Sequence, residues 1–384
     1  MRENGSGWPQ EKNINIALLD ITATVSYGGI QTAVWELARA LNDLGHQITV
    51  YGGDGPIRRD LGVRNIRIRT FPFTDRARVL NLGSRFRRIV ERWSFARHAL
   101  PELASANHDW VILTKPFDFF WPRIMPRNSR TRFAFRSGGT DFFLGDRMLK
   151  SGISAWFANS HFNAWQIKSR YGIYPKVIYN GVDLERFSPA HRDPELRKQL
   201  GISPEDIVCI FAGRLVGWKG VHVTLNALAD ASLQTLPLRC IVIGDGPERE
   251  ALQRQAATLG LQQRVMFESA KPHGELPRWW ASADLGIFSS IGDEGFSNSI
   301  AEALASGLPV IATAFSGNPE TVGNEGSCGL LVTPGDSQEL AQAIGELALD
   351  PQRRRSMGER ARARMAREFT WDHVARRLLH GLPA

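Results

Sequence analysis

The sequence predicts an α/β chain of two doubly wound domains, each a parallel sheet covered by helices. Three observations carry this. Apolar, β-branched runs alternate with amphipathic segments along nearly all of the 384 residues, the pattern of parallel strands joined by crossover helices. The runs are near-continuous in apolar residues, as strands buried on both faces are. The series also runs twice, interrupted over "YNGVDLERFSPAHRDPE", residues 179–195, where turn residues and charges replace periodicity.

In the first half, "INIALLD", "QITVYG", "IRIRTF", "WVILT", "RFAFR" and "AWFAN" read as strands. In the second, "IVCIFAG", "RCIVIG", "RVMFES", "LGIFSS", "PVIAT" and "GLLVT" do. Helical patterns such as "IQTAVWELARALNDLG" and "PEREALQRQAATLG" lie between them. The expected domains are residues 1–185 and 186–384, with a last amphipathic helix, about 370–384, able to pack on either domain. A chain of this length favours two domains over one.

Charge is uneven. Residues 1–190 hold 27 Lys and Arg against 16 Asp and Glu, about +11, and residues 191–384 hold 20 against 23, about −3, which sums to the net +8. The excess peaks between Arg58 and Arg97, where twelve arginines interleave with Phe71, Phe73, Phe86, Trp93 and Phe95. Such a segment can dock on an anionic membrane surface or form a solvated basic face. No nucleic-acid motif accompanies it, so no nucleic-acid partner is expected. No apolar run reaches the length of a transmembrane helix, and "MRENGSGWPQEKN" lacks the apolar core of a secretion signal. Cys209, Cys240 and Cys328 are far apart and form no CxxC pair, which suits buried free thiols. These features predict a cytoplasmic protein, held peripherally at the inner membrane face if the basic segment docks there.

Four stretches carry chemistry. "SYGGIQTAVWELARALNDLGH" puts Gly28 and Gly29 between a strand and a helix, where backbone N–H groups can approach an anion; a plain tight turn explains it equally well. "FAGRLVGWKGVHVTLNAL" repeats that geometry and adds Arg214 and Lys219, two cations that can clamp a pyrophosphate at a strand end. "CIVIGDGPERE" reads as a strand, a glycine turn and a helix with Pro247 in its first turn. "GDEGFSNSIAEALASGLPVIAT" sets Glu294 and Glu302 eight residues apart around the start of a helix. Ser299 and Glu302 fit a capping box, which leaves Glu294 unexplained. A nucleotide sugar offers hydroxyls for carboxylates and phosphates for N–H groups and cations, so it suits this mixture.

At this point the sequence resembles the retaining nucleotide-sugar glycosyltransferases of family GT4. The resemblance is carried by "EGFSNSIAEALASGLPVIAT", "GRLVGWKG", "IGDGPE" and "GNPETV", and is strongest over residues 207–340. It implies the GT-B fold, two Rossmann-like domains facing a cleft. It implies that Arg214 and Lys219 stabilise the leaving diphosphate and that Glu294 contacts the transferred sugar. Glu302 would bind the ribose hydroxyls, and Gly295, Phe296, Ser297 and Asn298 would line the sugar and phosphates. Gly28 and Gly29 would approach the diphosphate or the acceptor. No metal or other cofactor is implied; the donor is a co-substrate. The implied partners are a nucleotide-diphosphate sugar and a saccharide or lipid-linked acceptor, in cell-surface polysaccharide or glycolipid assembly.

Two departures stand out. The family's N-domain histidine is replaced, in "FAFRSGGTDFF", by Ser137, Gly138 and Gly139, with Asp141 or the glycine amides as candidates for its sugar contact. His108 precedes a strand and His161 opens a helix, so neither is an obvious replacement. "FES" stands where the family commonly has Phe-x-Gly, so the resemblance does not carry the family's base contacts over at Ser269. A non-catalytic GT-B protein that binds a nucleotide sugar or acts as a scaffold is the alternative. A dinucleotide oxidoreductase would need the GxGxxG that this chain lacks. An epimerase would release an isomerised sugar nucleotide without transfer.

Overall fold

A computed structural model describes residues 13–26, 28–55, 65–139, 142–143, 145–292, 294–323 and 326–383. The chain divides into two compact units, Met1–Arg136 with Asp141–Trp156 and Leu382–Ala384, and Ser137–Thr140 with Phe157–Gly381.

The first sheet consists of β1 (Asn15–Leu19), β2 (Gln47–Gly53), β3 (Arg67–Phe71), β4 (Trp110–Leu113), β5 (Arg132–Arg136), β6 (Ala155–Ala158) and β7 (Lys176–Val177). Its order is β3-β2-β1-β4-β5-β6-β7. The second consists of β8 (Ile207–Ala212), β9 (Leu238–Ile243), β10 (Val265–Glu268), β11 (Leu285–Phe288), β12 (Val310–Thr313) and β13 (Gly329–Val332), in the order β10-β9-β8-β11-β12-β13. Every described pairing is parallel.

Burial explains the composition of the strands. β4, β11 and β12 are buried along their whole length, whereas β3 and β10 at the sheet edges are partly open. Arg67 and Arg69 are therefore tolerated on β3. Each fully buried Leu, Ile, Val or Phe stabilises the fold by roughly 1.5–3 kcal/mol, and Leu18, Ile112, Ile210, Ile287 and Ile311 are at most 2% exposed. Cys209 and Cys240 are register partners on β8 and β9; all three cysteines are free and buried. Burial pushes the Cys240 thiol up to about 12, which makes it a packing residue and not a nucleophile.

Each strand-like run named from the sequence contains a strand. The two-residue β7 and the helix Pro351–Glu368 were not anticipated. The arginine-rich Pro351–Glu368 helix has a weak apolar stripe, burying only Met357, Gly358, Ala361 and Met365. The final amphipathic segment is the helix Trp371–Gly381. Pro247 lies in the turn ahead of the helix Arg249–Thr258, not within its first turn.

Candidate active site

The strand order of the second sheet points to the candidate site. β8 connects to β9 on one side, while β11 and β12 run to the other, so the chain changes direction between β8 and β11. The carboxyl ends of two such strands leave a crevice between their loops. Arg214 and Lys219 leave from β8, and the segment Glu294–Asn298 follows β11.

These two loops are locked together by close backbone approach. Gly220 has φ 69°, and a Cβ there would sit 1.8 Å from the Ser289 carbonyl oxygen, so only glycine fits. Ser289 Oγ donates to the Gly220 carbonyl at 2.7 Å. The N–H groups of Ile291 and Gly292 both donate to the Trp218 carbonyl, at 2.8 and 3.2 Å.

This contact brings Lys219 to Glu294. Lys219 Nζ donates to Glu294 Oε1, and Ser290 Oγ donates to Glu294 Oε2 at 3.0 Å. Both charged side chains are mostly buried, 14% and 13% exposed. The Glu294 backbone is held as well: its N–H donates to Ser316 Oγ at 2.8 Å, and the Gly317 N–H donates to its carbonyl at 2.9 Å. Ser316 adopts φ 61° to do this, an uncommon conformation for a residue with a side chain. Arg214 is exposed and its guanidinium makes no hydrogen bond or ion pair among the described residues.

Gly295 lies against Asn159, where a Cβ would meet Oδ1 at 2.6 Å. Phe296 and Ser297 are buried and lead into the helix Asn298–Ala305. The N-cap residue Ser297 makes no side-chain cap hydrogen bond, and the start of a helix is a place suited to an anion. Asn298 Oδ1 accepts from Asn180 Nδ2 at 2.8 Å.

The expected capping box is not formed. The helix starts at Asn298, so Ser299 is already its second residue and cannot act as its N-cap. Glu302 turns away from the helix start, and Oε1 accepts from His273 Nε2 at 2.8 Å. This frees Glu302 from the structural role that its spacing offered.

In the first unit, the equivalent switch point lies between β1 and β4. Gly28 and Gly29 are exposed at the start of the helix Gly29–Asp43, which also lacks a side-chain cap. Asp20 at the end of β1 is fully buried, accepting from the Thr22 N–H at 2.8 Å and from Thr114 Oγ1 at 2.6 Å. Burial pushes its carboxyl up, but Lys115, Arg92 and the two hydroxyls outweigh that and hold it below its ordinary value. Arg92 pairs with Asp118 in the interior.

Ser137 is buried, with Oγ donating to the Gly139 carbonyl at 2.9 Å. Asp141, the candidate for the missing histidine's contact, lies outside the described residues, as do Arg58, Arg59 and Arg64. His108 is a core residue between Tyr51 Oη at 2.9 Å and Asn15 Oδ1 at 2.8 Å. His161 Nδ1 meets Tyr174 Oη at 2.8 Å. Among the described residues no group of three or more His, Cys, Asp or Glu could hold a metal ion, and no helix is long and apolar enough to cross a membrane.

The structure thus brings Lys219 and Glu294 into contact, places Arg214 on the Lys219 loop, and sets Glu302 on the helix that the Glu294 loop enters. Gly28 and Gly29 stand at the corresponding edge of the other sheet. Sequence reasoning missed His273, Ser290 and Ser316. Ser316 in "FSGNPE" had a weak turn signal, whereas His273 had none.

The family description "Glycosyl transferases group 1" matches residues 192–364, and "Glycosyltransferase Family 4" matches residues 27–186. The D-inositol 3-phosphate glycosyltransferase of Nocardia farcinica is 34% identical over 253 residues, 63% of this chain and 55% of that protein. The GDP-mannose-dependent alpha-(1-6)-phosphatidylinositol monomannoside mannosyltransferase of Mycolicibacterium smegmatis is 32% identical over 208 residues, 52% and 53% of the two chains. The chain spans about half the length of the curated relatives it matches. Among solved structures, Anabaena Alr3699/HepE in complex with UDP and glucose superposes with a TM-score of 0.78 at 24% identity, over 96% of this chain and 99% of that one. Sucrose-phosphate synthase from Thermosynechococcus elongatus gives 0.78 at 20% identity, over 95% and 97%. These likenesses establish the fold as α/β of the GT-B type. With the two descriptions accounting for both halves between residues 27 and 364, the chain belongs to glycosyltransferase family 4.

Proposed function

We propose that the protein is a retaining glycosyltransferase, moving a sugar from a nucleotide-diphosphate donor to a saccharide or lipid-linked acceptor. The observation that carries this reading is the paired Lys219 and Glu294 at the second sheet's switch point, beside the start of the helix Asn298–Ala305. Those groups match a ligand that is anionic at one end and rich in hydroxyls at the other.

In this reading residues 186–384 take the donor and residues 1–185 the acceptor. Glu294 accepts from hydroxyls of the transferred sugar, while the N–H groups at the start of the helix Asn298–Ala305 and the backbone of Gly295–Ser297 face the diphosphate. Glu302 accepts from the ribose. The acceptor oxygen bonds to the anomeric carbon as the bond from that carbon to the phosphate oxygen breaks. The electron pair leaves with the diphosphate, and the acceptor's proton passes to the departing phosphate oxygen on the same face of the sugar. Arg214 and Lys219 stabilise the charge that grows on that diphosphate, an interaction stronger in the transition state than in the ground state. Gly28 and Gly29 leave room for the diphosphate or acceptor. No metal is needed in this scheme.

The names of the relatives suggest inositol phosphate, phosphatidylinositol and hexose donors carried on UDP or GDP as first candidates. A lipid-linked acceptor, cytoplasmic location and peripheral membrane attachment go together with the basic first half. Turnover of UDP-glucose or GDP-mannose with inositol 3-phosphate or phosphatidylinositol, followed by proton NMR of the product, tests the reading. A product that keeps the donor's anomeric configuration is expected, and an inverted one contradicts retention. The replacement of the family's histidine by Ser137–Gly139 favours a second reading, a non-catalytic binding protein; donor binding without turnover across acceptors would select it.

A further inference from the structure

We infer that His273 is a positioning residue that sets Glu302 for recognition of a ribose, making the site selective for ribonucleotide over deoxyribonucleotide donors. The inference rests on the donor role proposed for Glu302 and names the group that makes that role work.

Glu302 sits mid-helix, 7% exposed, and its carboxylate has one hydrogen-bond partner among the described residues, His273 Nε2 at 2.8 Å. A carboxylate accepts only, so Nε2 carries the hydrogen. Nδ1 is buried without a partner among the described residues, so nothing on the protein side competes for the ring. The ring is held by the Pro272–Glu275 turn, closed by the Glu275 N–H donating to the Pro272 carbonyl at 2.8 Å, and packs on Phe187 at 5.5 Å. One carboxylate oxygen is thereby fixed. The other, Oε2, accepts nothing from the described residues and is aimed by the fixed one. A ribose hydroxyl can donate to it; a bound deoxyribose would cover that oxygen without giving it a partner, the condition under which a polar site discriminates strongly.

The test is calorimetric binding of UDP, GDP and their 2′-deoxy and 3′-deoxy forms to the full chain. Wild type is expected to bind one ribonucleoside diphosphate about tenfold or more tightly than at least one deoxy form. His273→Leu keeps the packing on Phe187 and removes the N–H; it is expected to bring that ratio close to one and to raise the donor's KM with kcat little changed. His273→Gln restores an N–H donor and is expected to recover the ratio. If His273→Leu keeps the wild-type ratio, or His273→Gln loses it as Leu does, the positioning role is wrong and the donor site stands. If wild type binds neither UDP nor GDP, the donor reading falls and this inference falls with it.

Discussion

Lys219 Nζ is hydrogen-bonded to the carboxylate of Glu294, 75 residues further along the chain. The pair joins the loops after β8 and β11, and with Ser290 it leaves Glu294 poised but neutralised. Arg214, on the same loop as Lys219, is exposed and has no partner among the described residues. The two cations therefore differ in what they do for the protein without ligand.

That difference predicts different consequences of removal. Arg214→Ala should leave stability within about 0.5 kcal/mol of wild type, as an exposed substitution does. Lys219→Ala strips a partly buried carboxylate of its partner and should cost about 1–3 kcal/mol in urea unfolding. Both should lower kcat roughly 10²–10³-fold, the cost of removing a group that stabilises a leaving anion. Equal stability losses in the two variants would contradict the assignment.

Gly220 is expected to be intolerant of substitution. With φ 69° and a Cβ position 1.8 Å from the Ser289 carbonyl oxygen, Gly220→Ala should cost at least about 2 kcal/mol and displace the Lys219 loop. Gly201 has φ 64° with nothing within 4 Å of its Cβ position, so Gly201→Ala should cost only about 1 kcal/mol. Melting of the two variants side by side separates backbone strain from steric clash.

His108 gives stability a defined pH dependence. Burial first, then the nearby Arg67, lower its imidazole from 6.5 to about 4, with Asp109 opposing. The unfolded chain therefore binds a proton at a higher pH than the folded one, and stability rises with pH across that interval. The His108 contribution should be complete above about pH 6.5 and lost progressively down to about pH 4. His108→Gln should flatten this part of a pH–melting curve; an unchanged acid limb would contradict the account.

The basic first half carries its own expectation. Phe86, Ile89 and Trp93 lie on one face of the helix Ser84–Ser105, are 40%, 46% and 50% exposed, and stand among the exposed Arg76, Arg78, Arg85 and Arg97. Such a face should bind anionic phosphatidylglycerol vesicles at low salt and release them as salt rises. Phe86→Ala with Trp93→Ala should weaken co-sedimentation. A protein that stays in the supernatant at low salt would remove the membrane reading.

Much of this was legible in the sequence because buried parallel strands leave a strong local signal. "WVILT", "LGIFSS" and "PVIAT" announce themselves by apolar continuity, and each holds a strand buried throughout. β7, with two residues, carries no such signal. Of the aromatics interleaved in the basic segment, Phe95 is in the core, because a helix buries residues by its 3.6 period and not by composition. The Glu294 and Lys219 loops could be named but not joined, since their contact depends on which strands neighbour each other. The Ser299–Glu302 spacing pointed to a capping box, whereas a start two residues earlier and the distant His273 give Glu302 another partner. Long-range pairs of this kind leave no trace in spacing.

The most direct test of the donor site is thermal stabilisation of the purified protein by UDP-, GDP-, ADP- and dTDP-sugars, with Arg214→Ala and Glu302→Ala alongside. The account predicts a rise in melting temperature with one donor that is lost in both variants. No shift with any donor at millimolar concentration, or a shift that both variants retain, would contradict it.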